Sequence, residues 1–405
     1  MRSHVGWGVI DALGLYLHIP FCLAKCPYCD FVSYTGKGSV FSSYVGAVLR
    51  EAERYWGRRV ATLYVGGGTP TVLGKDLLLS LLSGTFEIVS LLPECEVTVE
   101  ANPGTVDGSY FHELRGRGVN RLSLGVQSMD DEVLALLGRI HSAQDAIDAV
   151  RNARSEGFDN INLDIMFGLP GQSPGQFQHT LKQALDLTPE HLSLYALTLE
   201  ENTPLAREVA QERMPLPDPD MAADMYEWAQ KYLEEQGYIH YEISNWARSP
   251  QNVCAHNVRY WQRKPYIGLG AGAHSFVGNL RSRNTNSPED YIALMKQYMP
   301  VVGQAAALSP GPAVVEVEHI ERSAAMAETM FLGLRMMDGV SRSAFRADFG
   351  VEIAAAYGDV IQELEELGLL EVDSERIRLS ARGRLVGNQV FYRFLPTSSR
   401  DPEAT

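Results

Sequence analysis

Between residues 14 and 243, short runs rich in apolar and β-branched residues alternate with longer amphipathic segments, and this alternation limits the fold more than any other feature of the chain. The strand-like runs are GLYLHI, ATLYVGG, EVTVEAN, RLSLGVQS, NINLDIMFGLP and HLSLYALTL. Between them, Val40–Trp56, Ala143–Glu156, Gln176–Leu187 and Met221–Glu235 carry helical spacing. Near-continuous apolar strands separated by helices are expected to lie parallel, covered by their crossover helices. Six such units fit a partial, open β/α barrel better than a complete eightfold one.

Beyond residue 243 the pattern weakens. Residues 244–305 hold the aromatic- and glycine-rich HNVRYWQRKPYIGLGAGAHSF, and AALSPGPAV, around Pro310 and Pro312, reads as a boundary. The chain is therefore divided at 1–243, 244–305 and 306–405. In the last part, Ser323–Met337 and Ile353–Leu367 read as helices, GLLEV and RIRLS as a hairpin, and a final helix starts at Arg382. Helices with a small hairpin resemble a winged-helix domain, and a packing cap is the simpler role for it. The acidic EELEELG helix would meet DNA poorly.

A net charge of −15 repels phosphate backbones, so nucleic acid is not an expected partner. The longest apolar run, LLLSLLSGTFEIVSLL, is broken by Gly84 and Glu87 and is too short to span a membrane. MRSHVGWGVID has no secretory h-region. Of five cysteines, Cys22, Cys26 and Cys29 fall within eight residues. An odd, clustered set suits metal binding in a reducing, cytoplasmic compartment rather than a disulfide framework.

In parallel β/α folds the chemistry sits at the carboxyl ends of the strands. The first strand ends in the cysteine loop and the second in GGGTPT. The third ends at Glu100–Asn102, the fourth at Gln127, and the fifth contains Asp164. Three thiolates on one loop can hold three irons of a cubane cluster and leave the fourth iron open to a ligand. The alternatives are a zinc knuckle, for which only His18 or Asp30 is near as a fourth ligand, or three ordinary buried thiols. Gly66–Gly68 reads as a tight turn or as bare backbone for close approach of a ligand. Arg139 reads as a helix-end charge or as a partner for a ligand carboxylate.

Cys-x3-Cys-x2-Cys followed by GGGTPT resembles the radical S-adenosylmethionine superfamily, in which the open iron of a 4Fe-4S cluster chelates S-adenosylmethionine and an electron cleaves it to a 5′-deoxyadenosyl radical. Over residues 14–395, YLHIPFC, YVGGGTPT, LSLGVQS, LDIMFGLPGQ, YALTLEENTPL and YIGLGAGAHSF are similar to the oxygen-independent coproporphyrinogen III oxidase family. The resemblance implies a partial (β/α)6 TIM-like barrel with a C-terminal winged-helix-like domain. It implies cluster ligands at Cys22, Cys26 and Cys29. It further implies S-adenosylmethionine contacts at Tyr16, Tyr28, Gly67, Gly68, Thr69, Glu100, Gln127, Arg139 and Asp164.

Two branches of that family differ at defined positions. The decarboxylating oxidases carry another cysteine two residues after the cluster motif, where this chain has Phe31. The heme-chaperone branch reads CPYCDF, as here, with His-Asn-x-x-Tyr-Trp, which matches His256–Trp261. That likeness implies heme as a cofactor and heme-acceptor proteins, such as respiratory cytochromes, as partners. It also implies an electron donor for the cluster and peripheral contact with membrane heme proteins. His256 is the implied axial ligand, since imidazole binds heme iron, with Cys254 a thiolate alternative. A packed, hydrogen-bonded core histidine is the plainer reading. The oxidase itself, and a radical enzyme acting on RNA, are the competing functions.

Overall fold

The computed structural model describes residues 12–299 and 310–396. The first part of the AALSPGPAV boundary, residues 306–309, lies outside them. Strands β1 (Leu13–Ile19), β2 (Arg59–Gly67), β3 (Ser90–Ala101), β4 (Arg121–Gln127), β5 (Ile161–Phe167) and β6 (His191–Ala196) are parallel and neighbour one another in sequence order. That order is a barrel's, not a doubly wound sheet's. The crossovers carry α1 (Phe41–Ala52), α2 (Lys75–Ile88), α3 (Gly108–Gly116), α4 (Asp131–Leu136), α5 (Ala143–Ser155) and α6 (Pro174–Asp186). Local chemistry sets their starts: Ser142 and Ser173 each form a reciprocal capping box, the second with Pro174 at the first helical position.

The six strands are not apolar on both faces. In β4, Leu122, Leu124 and Val126 are fully buried against the helices, while Arg121, Ser123, Gly125 and Gln127 point into the barrel. In β5, Ile161, Leu163 and Ile165 face outward to the helices, and Asn162, Asp164 and Met166 face in. The expected near-continuous apolar strand is thus a period-two pattern with a polar inner face.

The sheet continues past the six units in both directions. After α7 (Pro204–Ala210) and α8 (Pro219–Glu235), β7 (Ile239–Glu242) and β8 (Asn245–Ala247) extend it antiparallel beyond β6. Helix α9 (Ala255–Trp261) follows. Then β9 (Tyr266–Leu269) pairs parallel with β1, and β10 (His274–Val277), β11 (Leu280–Asn284) and β12 (Val314–His319) add antiparallel strands. The twelve-stranded sheet ends at β7 and β12, so the barrel is open. Because β12 follows the proline-rich stretch, the large sheet takes in residues on both sides of it.

A separate core of Met330, Phe345, Ile353, Leu364, Ile377 and Phe394 joins helices Arg322–Gly333, Arg342–Phe349 and Ile353–Glu366 to a three-stranded sheet. Two differences from expectation stand out. The helix Arg342–Phe349, capped by Ser341, is additional, and the final helix is broken into Ala381–Leu385 and Gly387–Tyr392. This domain is fastened to the barrel at several points. Ile243 N–H donates to Arg335 O (3.0 Å), the Arg335 guanidinium lies 4.3 Å from the centre of the Trp261 ring, and Glu328 accepts from both Arg263 and Arg281 at 2.7 Å.

Tyr44 on α1 ties β1 to the turn after β9. Its hydroxyl donates to His18 O (2.8 Å) and accepts from Ala271 N–H (2.8 Å), all buried. Tyr44→Phe leaves both backbone groups without that partner. We expect a loss of about 1–3 kcal/mol in unfolding free energy, read as a lower urea midpoint at unchanged slope.

Candidate functional site

The carboxyl ends of the six strands surround a cavity of about 520 Å³. The cysteine loop forms one wall. Its ends are closed by Cys22 N–H to Tyr34 O (3.0 Å) and Tyr34 N–H to Pro20 O (2.8 Å), and Cys29 N–H turns back on Cys26 O (3.1 Å). Pro27 O accepts Leu205 N–H of α7 (2.9 Å), which fixes the loop from outside.

Gly66–Gly68 holds this loop in place. A Cβ on Gly68 would lie 2.6 Å from Phe21 O and 2.9 Å from Cys22 Sγ. One on Gly67, at φ +118°, would lie 2.7 Å from the His18 ring, and one on Gly66 2.9 Å from the Glu100 carboxylate. The amides are committed too: Gly68 N–H donates to Ile19 O (2.9 Å), Thr69 N–H to Phe21 O (2.8 Å) and Gly67 N–H to Glu100 Oε2 (3.1 Å). The glycines are needed first so that two segments of this chain can touch.

Thr69 Oγ1 donates to Cys22 Sγ (3.7 Å), and Arg139 Nη1 donates to Cys26 Sγ (3.6 Å) while Nη2 holds Gly125 O (2.7 Å). Burial raises the Cys22 and Cys29 thiols above the ordinary thiol range. Burial, then the Asp164 charge, pushes Glu100 up to about 7 against the pull of its Tyr64 hydrogen bond (2.8 Å). Asp164 is likewise raised by burial, and accepts from Asn162 (2.8 Å) and Ser123 (3.2 Å). Gln127 adopts φ +66°, a left-handed conformation at a strand end, and its buried Oε1 has no partner. Tyr28 packs on Val133, Leu137, Met166 and Leu169 at the cavity edge.

Cys22, Cys26, Cys29, Tyr28, Gly67, Gly68, Thr69, Glu100, Gln127, Arg139 and Asp164 therefore share one cavity, as the strand ends suggested. Two expected residues do not. Tyr16 sits behind the wall, its hydroxyl on His18 Nδ1 (2.9 Å) and its ring against Tyr64 and His256. His256 is 1% exposed, with Nδ1 on Thr62 (2.9 Å) and Nε2 on Tyr260 (2.9 Å), and its ring stacks on Tyr64. Burial lowers its imidazole to about 3. Both ring nitrogens are bonded inside the protein, so axial ligation by His256 would require its bond to Thr62 or to Tyr260 to open. Cys254 is buried too, its thiol raised to about 12.

Helix α9, which carries the HNVRYW motif, has its amino end held by Glu96, which accepts Ala255 N–H (2.9 Å) and His256 N–H (3.0 Å). Asn257, the motif's second residue, lines the cavity. Sequence reading missed this residue together with Tyr64, Arg121, Asn162 and Ser193, all of which face inward. A search for polar residues at alternate strand positions would have found the last four.

A model of the radical SAM superfamily matches residues 16–184, and one of the HemN C-terminal domain matches residues 320–386. Heme chaperone HemW of Bacillus subtilis is 34% identical over 94% of this chain and 98% of its own length. Its Escherichia coli counterpart is 42% identical over 70% of this chain and 76% of its own length. The chain belongs to the HemW family. Among solved structures, coproporphyrinogen III oxidase (HemN) from Escherichia coli, a radical SAM enzyme, superposes with a TM-score of 0.80 at 25% identity, covering 95% of this chain and 90% of that one.

The residues fit the groups that a radical SAM domain implies, a 4Fe-4S cluster and S-adenosylmethionine. The chain offers three thiols on one loop, and two buried polar atoms in the adjoining wall, Gln127 Oε1 and Arg139 Nε, have no partner. Among the described residues no three Cys, His, Asp or Glu side chains gather round one point as a single ion such as zinc needs. When bound, the two groups supply one-electron chemistry. The chain's part would be to hold them: Cys22, Cys26 and Cys29 are placed to take the cluster, and Arg139, Gln127, Glu100 and Asp164 would surround the ligand, with Tyr28 as an apolar wall.

Gly68→Ala is expected to lower iron and sulfide content after anaerobic reconstitution, because the added methyl displaces Phe21 and Cys22. Gly46→Ala, with open space at its Cβ, should load normally. Glu100 binds its proton more tightly folded than unfolded, so its contribution to stability is present at pH 4 and lost as pH rises through about 7. Thermal unfolding should show Glu100→Gln gaining on the parent chain between pH 5 and 8.

Proposed function

We propose that this chain binds heme and passes it to acceptor proteins, on a scaffold that also holds a 4Fe-4S cluster and S-adenosylmethionine. Residue 31 carries the reading. It is a phenylalanine, 69% exposed on the cavity lining, at the position where the oxidase branch carries a further cysteine. The likeness to heme chaperones over nearly the whole chain supports the same conclusion, whereas the likeness to the oxidase is strongest in shape.

Respiratory-chain cytochromes are the acceptors that suit this reading, reached by peripheral contact from the cytoplasm. No helix among the described residues is long and apolar enough to cross a membrane. A separate electron donor would serve the cluster. His256 would serve as an axial ligand only if its bond to Thr62 or Tyr260 opened, and a carrier's site must be open enough for release.

The deciding experiment uses one anaerobically reconstituted preparation for two measurements, heme titration by absorbance and decarboxylation of coproporphyrinogen III by product chromatography. Stoichiometric heme uptake without decarboxylated product is expected. Product formation without heme uptake would instead make the chain an oxidase.

A further inference from the structure

Arg121 is the first residue of β4, so its Cα lies at the strand end opposite the cysteine loop while its side chain reaches the cavity. It is 1% exposed, and its Nε has no hydrogen-bond partner. Among the described residues no carboxylate stands within ion-pair distance of it. The acids whose charge it feels are committed elsewhere. Cys254 and Glu96 are the leading groups on Arg121, and Glu100 and Asp164 feel its charge in turn; Glu96 caps α9, Glu100 accepts from Tyr64 and Gly67, and Asp164 accepts from Asn162 and Ser123. A buried guanidinium with unused donors is costly to fold around, and a chain that keeps one gains where a ligand completes it.

Asn257 lines the same cavity while its neighbour His256 is turned into the wall. We propose that Arg121 and Asn257 form a carboxylate-binding subsite at the floor of the cavity, opposite the cysteine loop. The planar guanidinium suits both oxygens of a carboxylate, and the Asn257 amide adds a neutral donor. Arg139 is a separate group, tied to Cys26 at the other end. Six residues of β4, about 20 Å of strand, separate Arg121 from Gln127, so the two ends of the cavity address different parts of a ligand. One carboxylate source follows from the function proposed above, on which this assignment of ligands rests: a heme propionate, since the methionyl carboxylate of S-adenosylmethionine would be taken by the open iron at the cysteine-loop end.

The test uses cluster-loaded protein and two ligand pairs, S-adenosylmethionine with its decarboxylated analogue and hemin with its dimethyl ester. For the hemin pair, Arg121→Gln should weaken the acid on the order of 30-fold or more and leave the dimethyl ester unchanged. The S-adenosylmethionine pair should be unaffected, and an effect on that pair alone overturns the assignment. Asn257→Ala should weaken the same acid less, and Arg121→Lys, which keeps the charge without the fork, should recover part of the loss.

Ligand-free thermal unfolding is the second measurement. Removing a buried guanidinium whose donors lack hydrogen-bond partners should raise the midpoint of Arg121→Gln, whereas an arginine that serves only the fold would lower it. Unchanged affinity for both acids in Arg121→Gln, or a lowered ligand-free midpoint, overturns the subsite. If the parent chain binds neither hemin nor S-adenosylmethionine, the functional reading fails, and the sign of the midpoint shift still decides for or against the subsite.

Discussion

The contact between the end of β2 and the cysteine loop is the constraint on which the rest of the site depends. Backbone reaches backbone there without an intervening side chain, and the Gly68 and Thr69 amides pin the loop where Cys22 leaves β1. Thiols on a free loop would wander and lose any fixed relation to the strands. With the loop held, Thr69 and Arg139 reach two of the three sulfurs, and Glu100, whose carboxylate touches Gly66 and Gly67, is positioned by the same contact. One close approach therefore orders thiolates, carboxylate and guanidinium together.

A polar interior is the second consequence of the architecture. A closed eightfold barrel fills its centre with branched apolar side chains. This open one leaves room, and its inner face carries hydroxyls, amides, carboxylates and one arginine. Burial then governs their protonation. Glu100 rises toward neutrality because desolvation outweighs its hydrogen bonds, and His256 is held neutral for the same reason. Such a lining is expensive without a ligand and well suited to one that brings charge of its own.

The six parallel units, the cysteine loop and the cavity residues at the strand ends were legible in the sequence because they follow from local rules: strand–helix alternation, and loops converging at strand carboxyl ends. Arg121, Tyr64 and Asn162 were not. They lie within strands, where polar letters between leucines read as interruptions of an apolar run until the fold shows which face they occupy. The helix Arg342–Phe349 was missed because its eight residues, little more than two turns, make too short a run to stand out, although their period is clear. The surroundings of His256 were not legible for a different reason. Ligation needs a free nitrogen, and whether a nitrogen is free depends on Thr62 and Tyr260, which only the tertiary structure brings to it.

The HNVRYW segment is better understood as the part of the chain that connects the barrel interior to the C-terminal domain. Its first residue packs behind Tyr64, its second reaches the cavity, and its last stacks under Arg335, whose carbonyl holds Ile243. Glu96, on β3, fixes the amino end of the same helix. A displacement of this helix of about two turns would move Asn257 in the cavity and Trp261 at the domain junction together, since seven residues of α-helix move as one body. The motif thus serves packing at one end of a short helix and the cavity at the other, a demand separate from any ligation by its side chains.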